Sequence, residues 1–297
     1  MNPSPFNADC LKGQVALVTG GGSGICFEIC NQLLQHGAAG AVICGRRESF
    51  LERSSKLLTK QSGSRCLYKV CDVRDPKQCL EAVDYCVEQF GKLDILVNGA
   101  AGNFLAEAST LSPKGFATVM AIDAQGTFNM CSAAFSALQK PKQNGNGNSG
   151  VIINISATLQ YGATWWQSHP SAAKAAVDSL TRSLALEWGP DKIRVVGIAP
   201  GATADTPGTT KLAPGLDSQS MEELVVEGIP LGRMGSAQEM GLAAVFLCTS
   251  QYVTGHVLVV DGGEWLYRPQ LIPKDVVAEL SRKVEAKSRA HAPKAML

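Results

Sequence analysis

Residues 14–26 read Gln-Val-Ala-Leu-Val-Thr-Gly-Gly-Gly-Ser-Gly-Ile-Cys, a short apolar run that breaks abruptly into glycine. Such a run suits a strand buried on both faces of a parallel sheet. Beyond it Ile25, Ile29 and Leu33 recur at helical spacing, and Gly37 stands where a helix would be capped. A glycine turn between buried strand and helix lets the backbone approach a pyrophosphate, while the helix N-terminus offers free N–H groups and a partial positive charge. Glycines alone would be weak grounds; their place after the first buried strand makes Gly20, Gly22, Ser23, Gly24 and Ile25 candidate dinucleotide contacts.

Working outward, the same alternation repeats. Apolar runs AVICG, CLYKVCD, LDILVNGA, VIINISA, IRVVGIAPG and VLVVDGG alternate with helical patterns, among them a long one over about 113–139 and others near 172–188 and 237–247. Seven strands separated by helices predict an α/β fold: a single-domain, doubly wound (Rossmann) parallel sheet with helices on both faces. The expected boundaries are an arm over 1–12, the domain over 13–266 and a tail over 267–297. Within the domain, 140–150 reads as a Gly/Asn-rich loop, and 202–230, rich in Thr, Pro and Gly, as a lid over a site. The tail carries Arg268, Lys274, Arg282, Lys283, Lys287, Arg289 and Lys294 against three acids, a solvated helical pattern.

Composition narrows the function. With 27 Lys plus Arg against 26 Asp plus Glu, the 297 residues carry a formal charge of +1, which lacks the basic footprint of a nucleic-acid or membrane-surface protein. No apolar run approaches the ~18 residues of a membrane span. The first residues have neither the basic nor the apolar segment of a secretory signal, so the expectation is a soluble intracellular protein. Ten scattered cysteines form no CxxC pair and read as buried thiols, and the four histidines lack ligand spacing, so no metal site is expected.

The second strand ends in Gly45-Arg46-Arg47. An acidic residue there would select NAD through the ribose hydroxyl; two guanidiniums and no carboxylate suit a 2′-phosphate, and hence NADP (NADPH). At this point the motifs TGGGSG, Asp72-Val73, Asn98-Gly99-Ala100-Ala101-Gly102, Lys174 and Pro200-Gly201 together resemble the short-chain dehydrogenase/reductase superfamily, over residues 13 to about 265. The resemblance implies that Asp72 and Val73 meet the adenine, and that Asn98 and Ala100 support the sheet end and cofactor. It further implies that Lys174 holds the nicotinamide ribose and that Pro200, Gly201, Ala202 and Thr206 wrap the nicotinamide. One departure is Cys26 where the family has a third glycine, adding volume at a close helix–strand contact.

The catalytic positions depart further. Members that reduce carbonyls use a Ser and a YxxxK pair, the Tyr giving a proton to oxygen. Here Pro170 stands four residues before Lys174, and Ala157 follows Asn154-Ile155-Ser156. Pro has no proton to give and Ala no hydroxyl; whether Ser156 or Tyr161 reaches the site is left open. Asp123-Ala124-Gln125-Gly126 replaces the usual NxxG, so an acid faces Lys174, either as a structural ion pair or as a pair that holds and polarises a water.

A proton on carbon rather than oxygen is what reduction of a conjugated thioester needs. Asn98 to Phe104, Asp123, Ala157 and Lys174 without its Tyr resemble the peroxisomal type of 2,4-dienoyl-CoA reductase. That resemblance implies NADPH-dependent reduction of a 2,4-dienoyl-CoA to a trans-3-enoyl-CoA in β-oxidation of unsaturated fatty acids. Hydride would arrive at the δ carbon, and Asp123 and Lys174 would activate the water that protonates the α carbon. Phe104 would line the acyl slot, with Ser112 a further substrate contact; Arg74 and either Arg46 or Lys114 would meet CoA phosphates. Two alternatives stand beside it: a trans-2-enoyl-CoA reductase of the same superfamily, and a catalytically silent nucleotide-binding homologue. Superfamily members pair through the helices that match 113–139 and 172–188, which implies a homodimer or homotetramer. The apolar Trp165-Trp166 pair suits either an acyl pocket or an interface. Ala295-Met296-Leu297 resembles an SKL-type address read by a peroxisomal import receptor, with Met in the central place.

Overall fold

The computed structural model describes residues 4–139, 150–206 and 225–290. Its chain divides into two compact units, 1–265 and 266–297. In the first, seven strands form one parallel sheet: β1 (Val15–Thr19), β2 (Gly40–Gly45), β3 (Arg65–Val70), β4 (Ile95–Asn98), β5 (Gly150–Ile155), β6 (Ile193–Pro200) and β7 (Val257–Val260), in the order β3-β2-β1-β4-β5-β6-β7. The order reverses between β1 and β4, and in open α/β sheets the crevice at such a reversal takes the ligand.

Alternate residues of each strand feed opposite cores. Ala16 and Val18 join Ile29, Leu33, Val97 and Leu247 on one face, and Val15 and Leu17 join Val42, Leu96, Met130 and Leu184 on the other. Burial on both sides explains the unbroken apolar runs. The flanking helices are α1 (Gly24–Gln35), α2 (Glu48–Ser62), α3 (Pro76–Phe90), α4 (Pro113–Met120), α5 (Gly126–Leu138), α6 (Ser168–Trp188) and α7 (Ala237–Thr249). Local signals set their ends. The Asp75 carboxylate accepts from the backbone N–H groups of Lys77 and Gln78, with Pro76 in the first turn of α3.

Two helices differ from expectation. The long pattern over 113–139 is α4 and α5 joined by a π turn, Ala121–Gln125. Helix α6 starts at Ser168 instead of near 172, because Pro170 falls in its first turn, where no N–H is needed. Arg194 on β6 is buried and donates from Nη1 to the Leu247 carbonyl (2.8 Å) and from Nη2 to that of Cys248 (2.9 Å), so a cation meets the last carbonyls of α7. The second unit contains an exposed helix, α8 (Lys274–Ala290), with i,i+4 pairs Lys283–Glu279 and Arg289–Glu285. Residues 140–149, most of the expected lid (207–224) and Ala295 to Leu297 lie outside the described residues.

Candidate active site

The glycine turn sits at the sheet's reversal. Gly20 has φ +68°, and a Cβ there would lie 2.6 Å from the Gly99 carbonyl oxygen, so β1 and β4 turn outward in close contact. Gly22 and Ser23 lead into α1, whose first helical residues are Gly24 and Ile25. The Ser23 side chain makes no cap bond, and no acid stands in the first turn, leaving the positive end of the helix uncompensated. The Thr19 hydroxyl accepts from Gly99 N (3.0 Å) and Ala100 N (3.2 Å), tying the turn to the end of β4.

Cys26 adds volume that Gly99 gives up. A Cβ on Gly99 would meet the Cys26 sulfur at 2.0 Å, so the thiol fills space that only glycine leaves. Burial pushes this thiol up to about 12 against the opposing charge of Lys174, keeping it neutral.

At the adenosine end, Arg46 and Arg47 are exposed beyond β2, with the Arg47 guanidinium over the Phe50 ring at 4.5 Å. Arg74 grips Asp72, its Nε donating to Oδ1 at 2.9 Å, and holds that carboxyl below the usual range with a smaller contribution from Arg46. Val73 is buried under α5: its carbonyl accepts from Asn129 Nδ2 (2.9 Å), and a Cβ on Gly126 would strike its methyl. Asn98 donates to Asn154 Oδ1 (2.9 Å) across paired strands β4 and β5. Beyond β6, which ends at Pro200, Gly201 packs against Asp261, and the Ala202 N–H donates to Glu264 Oε2 (3.0 Å). Thr206 Oγ1 donates to the Thr203 carbonyl (3.1 Å). Glycine cradle, uncompensated helix end and paired arginines fit a dinucleotide with an extra phosphate.

The π turn brings Asp123 to Lys174. Asp123 is 1 % exposed; its Oδ2 lies 3.2 Å from Lys174 Nζ, and its Oδ1 accepts from Gly102 N (2.7 Å). Lys174 Nζ also donates to the Ile155 carbonyl at 2.9 Å. Ser156 and Tyr161, left open by sequence, belong to a neighbouring cluster. Ser156 Oγ donates to Asp178 Oδ1, and Gln160 Nε2 donates to Asp178 Oδ2 at 2.6 Å. The Tyr161 phenol is pushed up to about 12 by burial and then by Asp178, which makes it a poor proton donor.

Phe104 and Ser112 both border Gly115 near the start of α4. The Ser112 hydroxyl accepts from Gly115 N (3.1 Å), and a Cβ on Gly115 would touch both that oxygen and the Phe104 ring. Lys114 is exposed on the same turn. Trp165 and Trp166 are exposed, with Trp166 at φ +59°, a strained conformation for a bulky residue, and its carbonyl accepts from Ala106 N (3.0 Å). Sequence reading gave no role to His169 or Gln167: Gln167 accepts from Asn103 Nδ2 (2.9 Å), and the His169 ring packs on Phe104 within the electrostatic influence of Asp123. Among the described residues no cluster could hold a metal ion, and no helix is long and apolar enough to cross a membrane.

A family model described as Enoyl-(Acyl carrier protein) reductase matches residues 20–264. The chain belongs to the short-chain dehydrogenase/reductase family and is an oxidoreductase whose fold implies a nicotinamide cofactor. Within that family it is 51% identical over 292 residues to a peroxisomal 2,4-dienoyl-CoA reductase [(3E)-enoyl-CoA-producing] of Arabidopsis thaliana, spanning 97% of this chain and 96% of the relative. An enzyme of the same name from Danio rerio is 44% identical over 88% of this chain and 84% of its own. Among solved structures, a short chain dehydrogenase from Bacillus anthracis superposes with a TM-score of 0.75 at 33% identity, covering 88% of this chain and 100% of the other.

Proposed function

We propose that the protein reduces 2,4-dienoyl-CoA thioesters to trans-3-enoyl-CoA with NADPH. The observation that carries this reading is the buried Asp123–Lys174 pair in a site with Pro170 and Ala157 where a phenol and a hydroxyl would serve carbonyl reduction.

Gly20, Gly22, Ser23, Gly24 and Ile25 would hold the pyrophosphate, Arg46 and Arg47 the 2′-phosphate, and Asp72 and Val73 the adenine. Asn98, Ala100, Lys174, Pro200, Gly201, Ala202 and Thr206 would enclose the nicotinamide end. Bound there, reduced nicotinamide supplies a hydride. Phe104 and Ser112 orient the acyl chain, while Arg46, Arg74 and Lys114 meet CoA phosphates. Hydride addition at the δ carbon moves charge to the thioester oxygen. Asp123, fixed by Gly102 N, and Lys174, fixed by the Ile155 carbonyl, hold the water that protonates the α carbon.

The names of the relatives support the substrate class and a peroxisomal location, with Ala295-Met296-Leu297 as the import address. Exposed Phe116, Phe128 and Leu186 on α4, α5 and α6 support a homodimer or homotetramer. The test is NADPH oxidation with a 2,4-dienoyl-CoA and with a trans-2-enoyl-CoA. Turnover of the first with a 3-enoyl product is expected. Turnover of the second alone would make the protein a 2-enoyl reductase, and inertness to both a silent homologue.

A further inference from the structure

The imidazole of His169 lies in the first turn of α6, 0 % exposed, with no side-chain partner on either ring nitrogen and only a weak contact to the Phe104 backbone. Leaving such groups buried and unsatisfied is costly, so natural structures do so rarely and often at functional sites. A third orphan atom stands close by in the fold. Asn103 donates from Nδ2 to Gln167 Oε1 at 2.9 Å, but its Oδ1 is buried without a partner. The Phe104 ring covers His169 with centroids 4.4 Å apart. Gly102, which begins this segment, donates to Asp123.

We propose that His169 is a proton-relay residue that resupplies the water held by Asp123 and Lys174; this rests on the reading of the reaction given above. Each turnover consumes one proton, and the pair that delivers it is almost wholly buried. When the α carbon is protonated, an O–H bond of the held water breaks, a C–H bond forms and hydroxide remains. The hydroxide recovers a proton from one imidazole nitrogen, directly or through water, while the other nitrogen accepts one originating from a solvent acid. The ring starts and ends neutral, and the net input is one solvent proton. A ring whose nitrogens are held by no side chain, and only weakly by the Phe104 backbone, can make such a transfer.

The surroundings favour the neutral form. Burial lowers the His169 pKa, opposed more weakly by the Phe104 backbone and the Asp123 carboxylate. Of the elements around it, the π turn contributes Asp123, α4 contributes only exposed Lys114, the 102–104 segment and α5 contribute no charge, and α6 itself contributes Lys174. His169 acts through the Asp123–Lys174 pair, so it is a positioning and relay group.

The experiment compares wild-type enzyme with His169→Phe, His169→Gln and His169→Ala under NADPH and a 2,4-dienoyl-CoA, with NADP affinity and thermal unfolding confirming the fold. Removal of the relay should lower kcat by about tenfold or more in all three with KM unchanged. The loss should deepen as pH rises, and free imidazole should restore part of it in His169→Ala. His169→Gln keeps a polar side chain that cannot pass a proton; wild-type kcat in that variant would overturn the relay in favour of a packing role. Wild-type kcat in all three, or loss without pH dependence or rescue, would overturn it equally. A wild-type enzyme inert towards the dienoyl-CoA would sink the reaction itself and the relay with it, a result distinct from an active wild type with indifferent variants.

Discussion

Single residues decide the chemistry here. Asp123 and Lys174 differ from an ordinary surface pair because each is tied to backbone: Asp123 to the Gly102 N–H, Lys174 to the Ile155 carbonyl. Asp123→Ala or Lys174→Ala should therefore lower dienoyl-CoA turnover by about 10²-fold or more, read as kcat in a steady-state assay, since each removes half of the proposed proton-delivery pair. Cys26 and Gly99 form a second pair, related by shape. Gly99→Ala drives a methyl into the Cys26 sulfur and should cost about 1–3 kcal/mol. Cys26→Ala combined with Gly99→Ala should regain part of that loss, because the sulfur contact is gone while the Thr19 carbonyl at 3.1 Å must still give. Denaturant midpoints of the two single variants and the double variant close the cycle.

At the scale of elements, the π turn is the device that aims Asp123. It adds a residue to one turn between α4 and α5, so Asp123 faces α6 while the flanking helices continue. Deleting Ala124 should regularise the helix and swing Asp123 aside by about 100°, abolishing turnover while circular dichroism stays near wild type. Helix α7 begins in a capping box, Ser236 accepting from Glu239 N and Glu239 accepting from Ser236 N (2.8 Å). Its Gly235 neighbour pairs with Thr203, so this helix start anchors the segment after β6. Arg233, gripping Glu239 through both nitrogens, pulls its carboxyl down from 4.5 to about 2. A depressed acid stabilises above its unfolded pKa and loses that contribution as pH falls through the folded one. Compared with Glu239→Gln, the wild-type advantage in Tm should be full near pH 6 and shrink between about pH 4.5 and 2, measured by thermal melts across that range.

For the whole molecule, what was legible followed from continuity along the chain. Most strands are largely apolar runs, so the seven-stranded parallel sheet could be read directly, and Lys174 with Asp123 stood out because the residues around them broke a familiar pattern. Features made by distant segments could not be read. Cys26 and Gly99 meet only because β1 and β4 are neighbours, and Ser156 and Tyr161 are drawn to Asp178 by a helix that folds back over β5 and β6. The helical pattern placed the start of α6 near 172, because the fit of Pro170 in a first turn depends on where the helix begins. His169, weighed only for metal spacing, drew no other reading, since an isolated histidine does not show its burial in a linear string.

The thiols give the molecule a clock. Cys10 is half-buried, and the other nine sit inside the packed layers on both sides of the sheet. A gentle alkylating reagent should mark Cys10 within the first phase and reach the rest only when the domain opens, so the mass spectrum over time, each adduct one step, would record how often the native state comes apart. Cofactor that closes the β1–β4 crevice should slow that record without touching a single sulfur.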